Sequence, residues 1–309
     1  MTQGRSIRLF LVDGTPNGLL TAEIMNWTGH VLTGPRSKLS ELVQRPECGR
    51  TGIYFLIGPD PEGSTRPLVY IGESDDVATR LKQHNRPEEK GGKDFWEKVC
   101  LVTSKDQNLT KAHVKYLESL LIQSAAQVGR CKLINGTAHE YINLPESDRA
   151  DMAFFLEQIR TVLPVLGFDF LRDMHRPSLS DKAASEPSIS DVPRFRMEIK
   201  RDSLTAYAQE VDGEFIVLEG SQARVEWTDQ KHNYRTLFKQ LCDEGVLVDN
   251  GDGYRRFATD YAFGSPSPAA AMVAGRAANG RKDWKVESTG QTYADWQDQQ
   301  VSAAATSLG

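Results

Sequence analysis

Two short apolar runs, Tyr54-Phe55-Leu56-Ile57 and Leu68-Val69-Tyr70-Ile71, flank a segment from Gly58 to Pro67 that is almost entirely turn formers. Strand-length β-branched and aromatic runs on either side of such a segment predict an antiparallel hairpin with a long tip. The residues that follow, Ser74-Asp75-Asp76-Val77, read as a helix start. A hydroxyl there accepts the first free backbone N–H groups, and the carboxylates lie at the positive end of the helix dipole. Arg80 and His84 then share a face with Asp76, while Val77 and Leu81 form the stripe that turns to the core. A polar stripe therefore points back over the hairpin.

The chain has 309 residues, enough for two domains that each bury a core. The boundaries read as an N-terminal strand and helix extension over 1–45, a domain with a trailing helix over 46–172, a linker over 173–193 rich in Ser, Pro, Ala and Asp, a C-terminal domain over 194–298 and a disordered tail over 299–309. No apolar run approaches the ~20 residues of a membrane helix, so a cytoplasmic protein is expected. Cys48, Cys100, Cys131 and Cys242 are far apart and form no Cys-x-x-Cys pair, which argues against a zinc site and a disulfide framework.

The order Gly52-Ile53-Tyr54, Tyr70-Ile71-Gly72, Arg80, His84, Glu118, Asn135 resembles the GIY-YIG nuclease superfamily, over roughly residues 50 to 137. The resemblance implies a bacterial or phage endonuclease with an α+β fold: a small antiparallel sheet flanked by helices, followed here by a second small α+β domain. Two departures stand out. The spacer between the tripeptides, 15 residues, is longer than is common, and Glu73 stands where many members place a lysine.

In the helix expected from Leu109 to about Gln127, Val114, Leu117 and Leu121 form the core stripe and Glu118 sits one step round from it. By itself Glu118 is a boundary glutamate paired with Lys115, and Asn135-Gly136 is a tight turn. The resemblance makes Glu118 the ligand of a single Mg²⁺ or Mn²⁺ ion and places Asn135 near the metal to orient the scissile group. It makes Tyr54 the general base, which needs a phenol pKa lowered from ~10 by nearby cations. Arg80 would neutralise charge developing on the phosphorus, Tyr70 and His84 would bind phosphate or relay protons, and Gly52 and Gly72 would let the backbone approach closely.

Candidate nucleic-acid contacts are Arg86, Lys90 and Lys93 in a mixed-charge loop, Lys111 and Lys115 on the Glu118 helix, and Arg255 and Arg256 near the tip of a C-terminal hairpin. The net charge of −5 works against tight nonspecific DNA binding. Its excess lies in residues 144–193, with 9 acidic against 5 basic groups, and in residues 287–309, with 3 acidic and no basic groups. Alternatives to a DNA endonuclease are a nucleic-acid-binding adaptor with weakened catalysis and a protein-interaction module. His30 reads as a surface or satisfied structural histidine. Residues 263–285 resemble a small uncharacterised module that recurs behind GIY-YIG domains.

Overall fold

The structure is a computed structural model that describes residues 4–61, 66–106, 108–136, 144–172, 193–201, 203–211, 213–229, 234–249 and 251–306. The chain divides into two units, Met1–Asp173 and Met174–Gly309. The expected linker, apart from residue 193, lies outside the described residues.

Unit 1 runs β1 (Ile7–Leu11), β2 (Leu20–Ile24), β3 (Gly29–Pro35), α1 (Leu39–Leu42), β4 (Gly52–Gly58), β5 (Leu68–Ser74), α2 (Val77–His84), β6 (Lys98–Ser104), α3 (Lys111–Val128), β7 (Lys132–Leu133) and α4 (Glu146–Val165). Its strands form one seven-stranded sheet in the order β1-β2-β3-β6-β4-β5-β7. Neighbours are antiparallel except β5 and β7. The hairpin expected from the two apolar runs is β4–β5, with Tyr54 opposite Gly72 and Phe55 opposite Ile71.

Every residue of β4 is buried, because the sheet is covered on both sides. The two-residue period of a strand sorts these side chains. Ile53, Phe55 and Ile57 pack with Val114, Leu117 and Leu121 of α3 and Phe155 and Ile159 of α4. Tyr54 and Leu56 pack with Val77 and Leu81 of α2, Leu42 of α1 and Trp96. Full burial of each such aliphatic or aromatic side chain contributes about 1.5–3 kcal/mol, which makes the two-sided strand the rigid centre of the unit.

The helix ends follow local chemistry. The Asp76 carboxylate accepts the Thr79 N–H at 3.0 Å and starts α2. Thr110 and His113 form a reciprocal cap on α3, and Gly129, at φ 68°, ends it.

Some expectations are corrected. The extension over residues 1–45, expected as strand and helix, also supplies β3 at residues 29–35, which pairs along its length with β6. The three strands of residues 1–45 are thus integral to the sheet. The α4 helix, which the sequence would stop before Pro164, continues one residue past it and forgoes the hydrogen bond to the Arg160 carbonyl that proline cannot donate. His30 is a satisfied structural histidine rather than a surface one, buried between Glu23 at 2.8 Å and Glu47 at 3.1 Å.

Unit 2 runs β8 (Arg194–Ile199), β9 (Leu204–Val211), β10 (Glu214–Val217), β11 (Gln222–Ala223), α5 (Tyr234–Asp243), β12 (Leu247–Asp249), β13 (Arg255–Phe257), β14 (Tyr261–Phe263), α6 (Pro266–Ala274), α7 (Gly280–Asp283), β15 (Lys285–Val286) and α8 (Tyr293–Thr306). A five-stranded sheet, β14-β10-β9-β8-β15, and a three-stranded one, β11-β13-β12, enclose a core that includes Phe215, Trp284 and the alanine-rich α6. Residues 299–306, expected as part of a disordered tail, continue α8. The Thr292 hydroxyl caps that helix by accepting the Asp295 N–H at 3.2 Å, and Tyr293 and Trp296 anchor it on Phe195. Both units mix helices with mainly antiparallel sheets, so the α+β class holds.

Candidate active site

The period of two puts Tyr54 of β4 and Tyr70 of β5 on the face covered by α2, where Arg80 and His84 also lie. The Tyr54 hydroxyl is 2.8 Å from His84 Nε2, and Arg80 Nε donates to the same oxygen at 3.3 Å. Tyr70 closes the group, its ring edge-on to the imidazole with centroids 5.2 Å apart. The structure therefore brings Tyr54, Tyr70, Arg80 and His84 together.

Burial sets the protonation states here. Tyr54 is 1% exposed. That burial, followed by the neighbouring Tyr70, pushes its phenol above the ordinary tyrosine range, and Arg80 only partly offsets the rise. The expected lowering by cations is thus overturned, because desolvating a phenolate costs more than one exposed guanidinium returns. His84 moves the other way. Burial, then the cations Arg80 and Lys93, lower it to about 4, so its imidazole is neutral at physiological pH. A neutral Nε2 accepts the Tyr54 O–H while the Tyr54 oxygen accepts from Arg80, leaving the proton on His84 Nδ1, which has no partner among the described residues.

Glu118 stands on α3, which packs on the sheet face opposite Tyr54 and Tyr70, and it is joined to their group by its electrostatic coupling to Arg80. Its carboxylate accepts the Glu73 backbone N–H. Burial and then the Glu73 carboxylate raise Glu118 to about 7, with Lys111 and Arg80 acting against them. Glu73 stands where the resemblance would place a lysine. The strand period places it with Val69 and Ile71, on the α3 side, where its carboxylate meets Lys111 Nζ at 2.7 Å. Alternation along β5 was the signal that could have found this neighbour of Glu118.

Among the described residues no group of three His, Cys, Asp or Glu is placed to hold a metal ion. The half-buried Glu118 carboxyl, beside a second carboxylate, is nevertheless a hard oxygen donor in a field that a cation would relieve. Such a donor fits a Mg²⁺ or Mn²⁺ ion that keeps several waters and takes its remaining oxygens from a phosphate.

Asn135 departs from its expected role. Its side chain spans the backbone of Ile71, accepting Ile71 N–H at 3.0 Å and donating to Ile71 O at 2.6 Å. It continues the short β7 pairing and holds the strand edge just before Gly72. The two glycines are there for different reasons. A Cβ at Gly72 would overlap the Tyr54 phenol, and one at Gly52 would lie 2.6 Å from the Val102 carbonyl oxygen. Gly52 answers mainly to close backbone approach, with the Thr103 methyl 2.8 Å from that Cβ position, whereas Gly72 answers to a side chain.

The other basic candidates scatter. Arg86, Lys90 and Lys115 are exposed. Lys111 is tied to Glu73 and, at 3.3 Å, to Asp75. In unit 2, Arg255 donates to the carbonyls of Val225 and Leu247, and Arg256 pairs with Asp252 at 2.6 Å. Arg255 is structural and does not stand free on the hairpin.

Comparison with known proteins touches unit 2. Residues 195–297 match the family described as Domain of unknown function (DUF4357). The match covers about a third of the chain and is compatible with the C-terminal module read from the sequence. No family match accompanies the GIY-YIG resemblance of unit 1. No curated protein and no solved structure matches the chain. No helix among the described residues is long and apolar enough to cross a membrane.

Proposed function

We propose that unit 1 is a GIY-YIG-type endonuclease that hydrolyses phosphodiester bonds in DNA with one divalent metal ion. The observation that carries this reading is the Tyr54 oxygen held between Arg80 Nε and His84 Nε2. In that arrangement Tyr54 need not exist as a phenolate. It takes a proton from the attacking water as its own passes to His84 Nε2, so the charge is never stranded on the buried phenol. Burial is the main cause of the low His84 pKa, and a phosphate beside Arg80 offsets the smaller, cationic part of it and so raises the basicity of Nε2 when substrate is bound. Arg80 stabilises the charge gathering on the phosphoryl oxygens.

Glu118 would hold Mg²⁺ or Mn²⁺. When bound, such an ion supplies Lewis-acid stabilisation of a phosphoryl oxygen. Asn135 positions the strand that carries Tyr70 and Gly72.

The test is to incubate purified protein with single-stranded DNA, duplex DNA and RNA, with Mg²⁺ or Mn²⁺ and with chelator. Metal-dependent product that is absent from the Glu118→Gln variant supports the reading, and equal cleavage by that variant ends it. A second reading, a nucleic-acid-binding adaptor, draws on the buried, high-pKa Tyr54 and the Lys111 charge consumed by Glu73. Binding without product in every metal would favour it.

A further inference from the structure

The loop that joins α2 to β6 is built, and it delivers one particular cation. Lys93 N–H donates to His84 O at 2.8 Å, so the loop returns to the helix end it left. Gly92 N–H donates to Pro87 O at 3.1 Å, and a Cβ on Gly92 would overlap the Arg86 carbonyl, so the closure demands glycine. Arg36 clamps both ends from outside. It donates to Asn85 Oδ1 at 3.0 Å and to Asp94 O at 3.1 Å, and stacks 4.7 Å over Trp96.

The result is an ammonium, Lys93 Nζ, 4.3 Å from the Tyr70 ring centroid. It is half-buried, unlike Arg86 and Lys90 of the same loop. Among the described residues neither Lys93 nor Arg80 has a carboxylate at ion-pair distance, whereas Arg36 is paired with Asp94 and Lys111 with Glu73. The two repel each other, and burial first and Arg80 second lower the Lys93 pKa. Holding two cations together with only the more distant Glu88 carboxylate to offset Lys93 is unfavourable in the free protein and favourable once an anion sits between them.

We propose that Lys93 and Arg80 form the phosphate-binding pair of this site, with Tyr70 as the platform that orients the lysine. The proposal rests on the nuclease reading for the identity of the anion, a backbone phosphate of nucleic acid, and its placement of Lys93 is its own.

The test uses the full chain and three variants: Lys93→Met, Lys93→Arg and, as a control at an exposed lysine of β6, Lys98→Met. Binding of a fluorescein-labelled DNA duplex is followed by anisotropy in chelator across a salt series, and inorganic phosphate is titrated in parallel by ³¹P NMR. Lys93→Met is expected to weaken duplex binding about tenfold and to make the salt dependence shallower by about one ion, while Lys93→Arg and Lys98→Met keep both. Lys93→Met is also expected to lose phosphate binding. Equal affinity and salt slope for Lys93→Met and wild type would overturn the pair, as would a wild-type protein that binds neither duplex nor phosphate. Cleavage in Mg²⁺ then separates the two claims. Lys93-dependent binding without nicking keeps the pair and removes the nuclease, whereas nicking with an unchanged KM in Lys93→Met does the reverse.

Discussion

Tyr54 and Gly72 face each other across the β4–β5 ladder, and the phenol of the first fills the space that any side chain on the second would occupy. Gly72→Ala must therefore push the Tyr54 ring off His84 and Arg80. Overpacking of this kind costs about 1–3 kcal/mol. In a Tyr54→Ala background the same change should cost much less, and urea unfolding of the four proteins of this double-mutant cycle measures the difference. Additive costs would mean that the ring and the glycine are independent.

Glu118→Gln should reduce metal-dependent nicking by about a hundredfold or more, on the scale of several kcal/mol of lost charge stabilisation. Stability should be unchanged or higher at neutral pH, because burial and Glu73 already oppose the native carboxylate. A lower melting temperature would mark Glu118 as a structural residue.

His84 gives a pH dependence of definite sign. Its pKa falls from an ordinary 6.5 to about 4 in the folded chain, so between these values the unfolded state binds a proton that the native state refuses. Its contribution is present in full above pH 6.5 and is lost as pH falls toward 4. After allowance for screening this is about 2 kcal/mol. The difference in unfolding free energy between wild type and His84→Gln, measured from pH 8 to pH 4, should shrink by that amount. A difference that does not vary with pH would refute a neutral native His84.

Asn135→Ala removes both hydrogen bonds to Ile71 and exposes a strand edge next to the site. We expect a loss of about 1–3 kcal/mol by chemical denaturation, accompanied by weaker nicking. Lost activity at full stability would instead place the amide on the substrate.

The hairpin, the α2 cap and the α3 stripe could be read from the residues because each depends on neighbours within a few positions. Gly58 to Pro67 had to turn, and Val114, Leu117 and Leu121 had to share a helix face. The third strand escaped notice because Gly29–Pro35 carries too few β-formers to declare itself. It pairs with the nearby β2, but the partner that runs along its whole length, β6, lies some seventy residues along the chain.

Alternation along β5 was enough to determine that Tyr70 and Glu73 lie on opposite faces of the sheet, and the register with β4 set Tyr54 on the face of Tyr70. Tertiary structure alone decided what those faces meet. It buried the Tyr54 phenol and so moved its pKa up instead of down, it spent Asn135 on the backbone of Ile71, and it used Arg36 to bring Lys93 over Tyr70. Periodicity is a property of adjacent residues, whereas desolvation and charge pairing depend on every atom within several ångströms, whatever its distance along the chain.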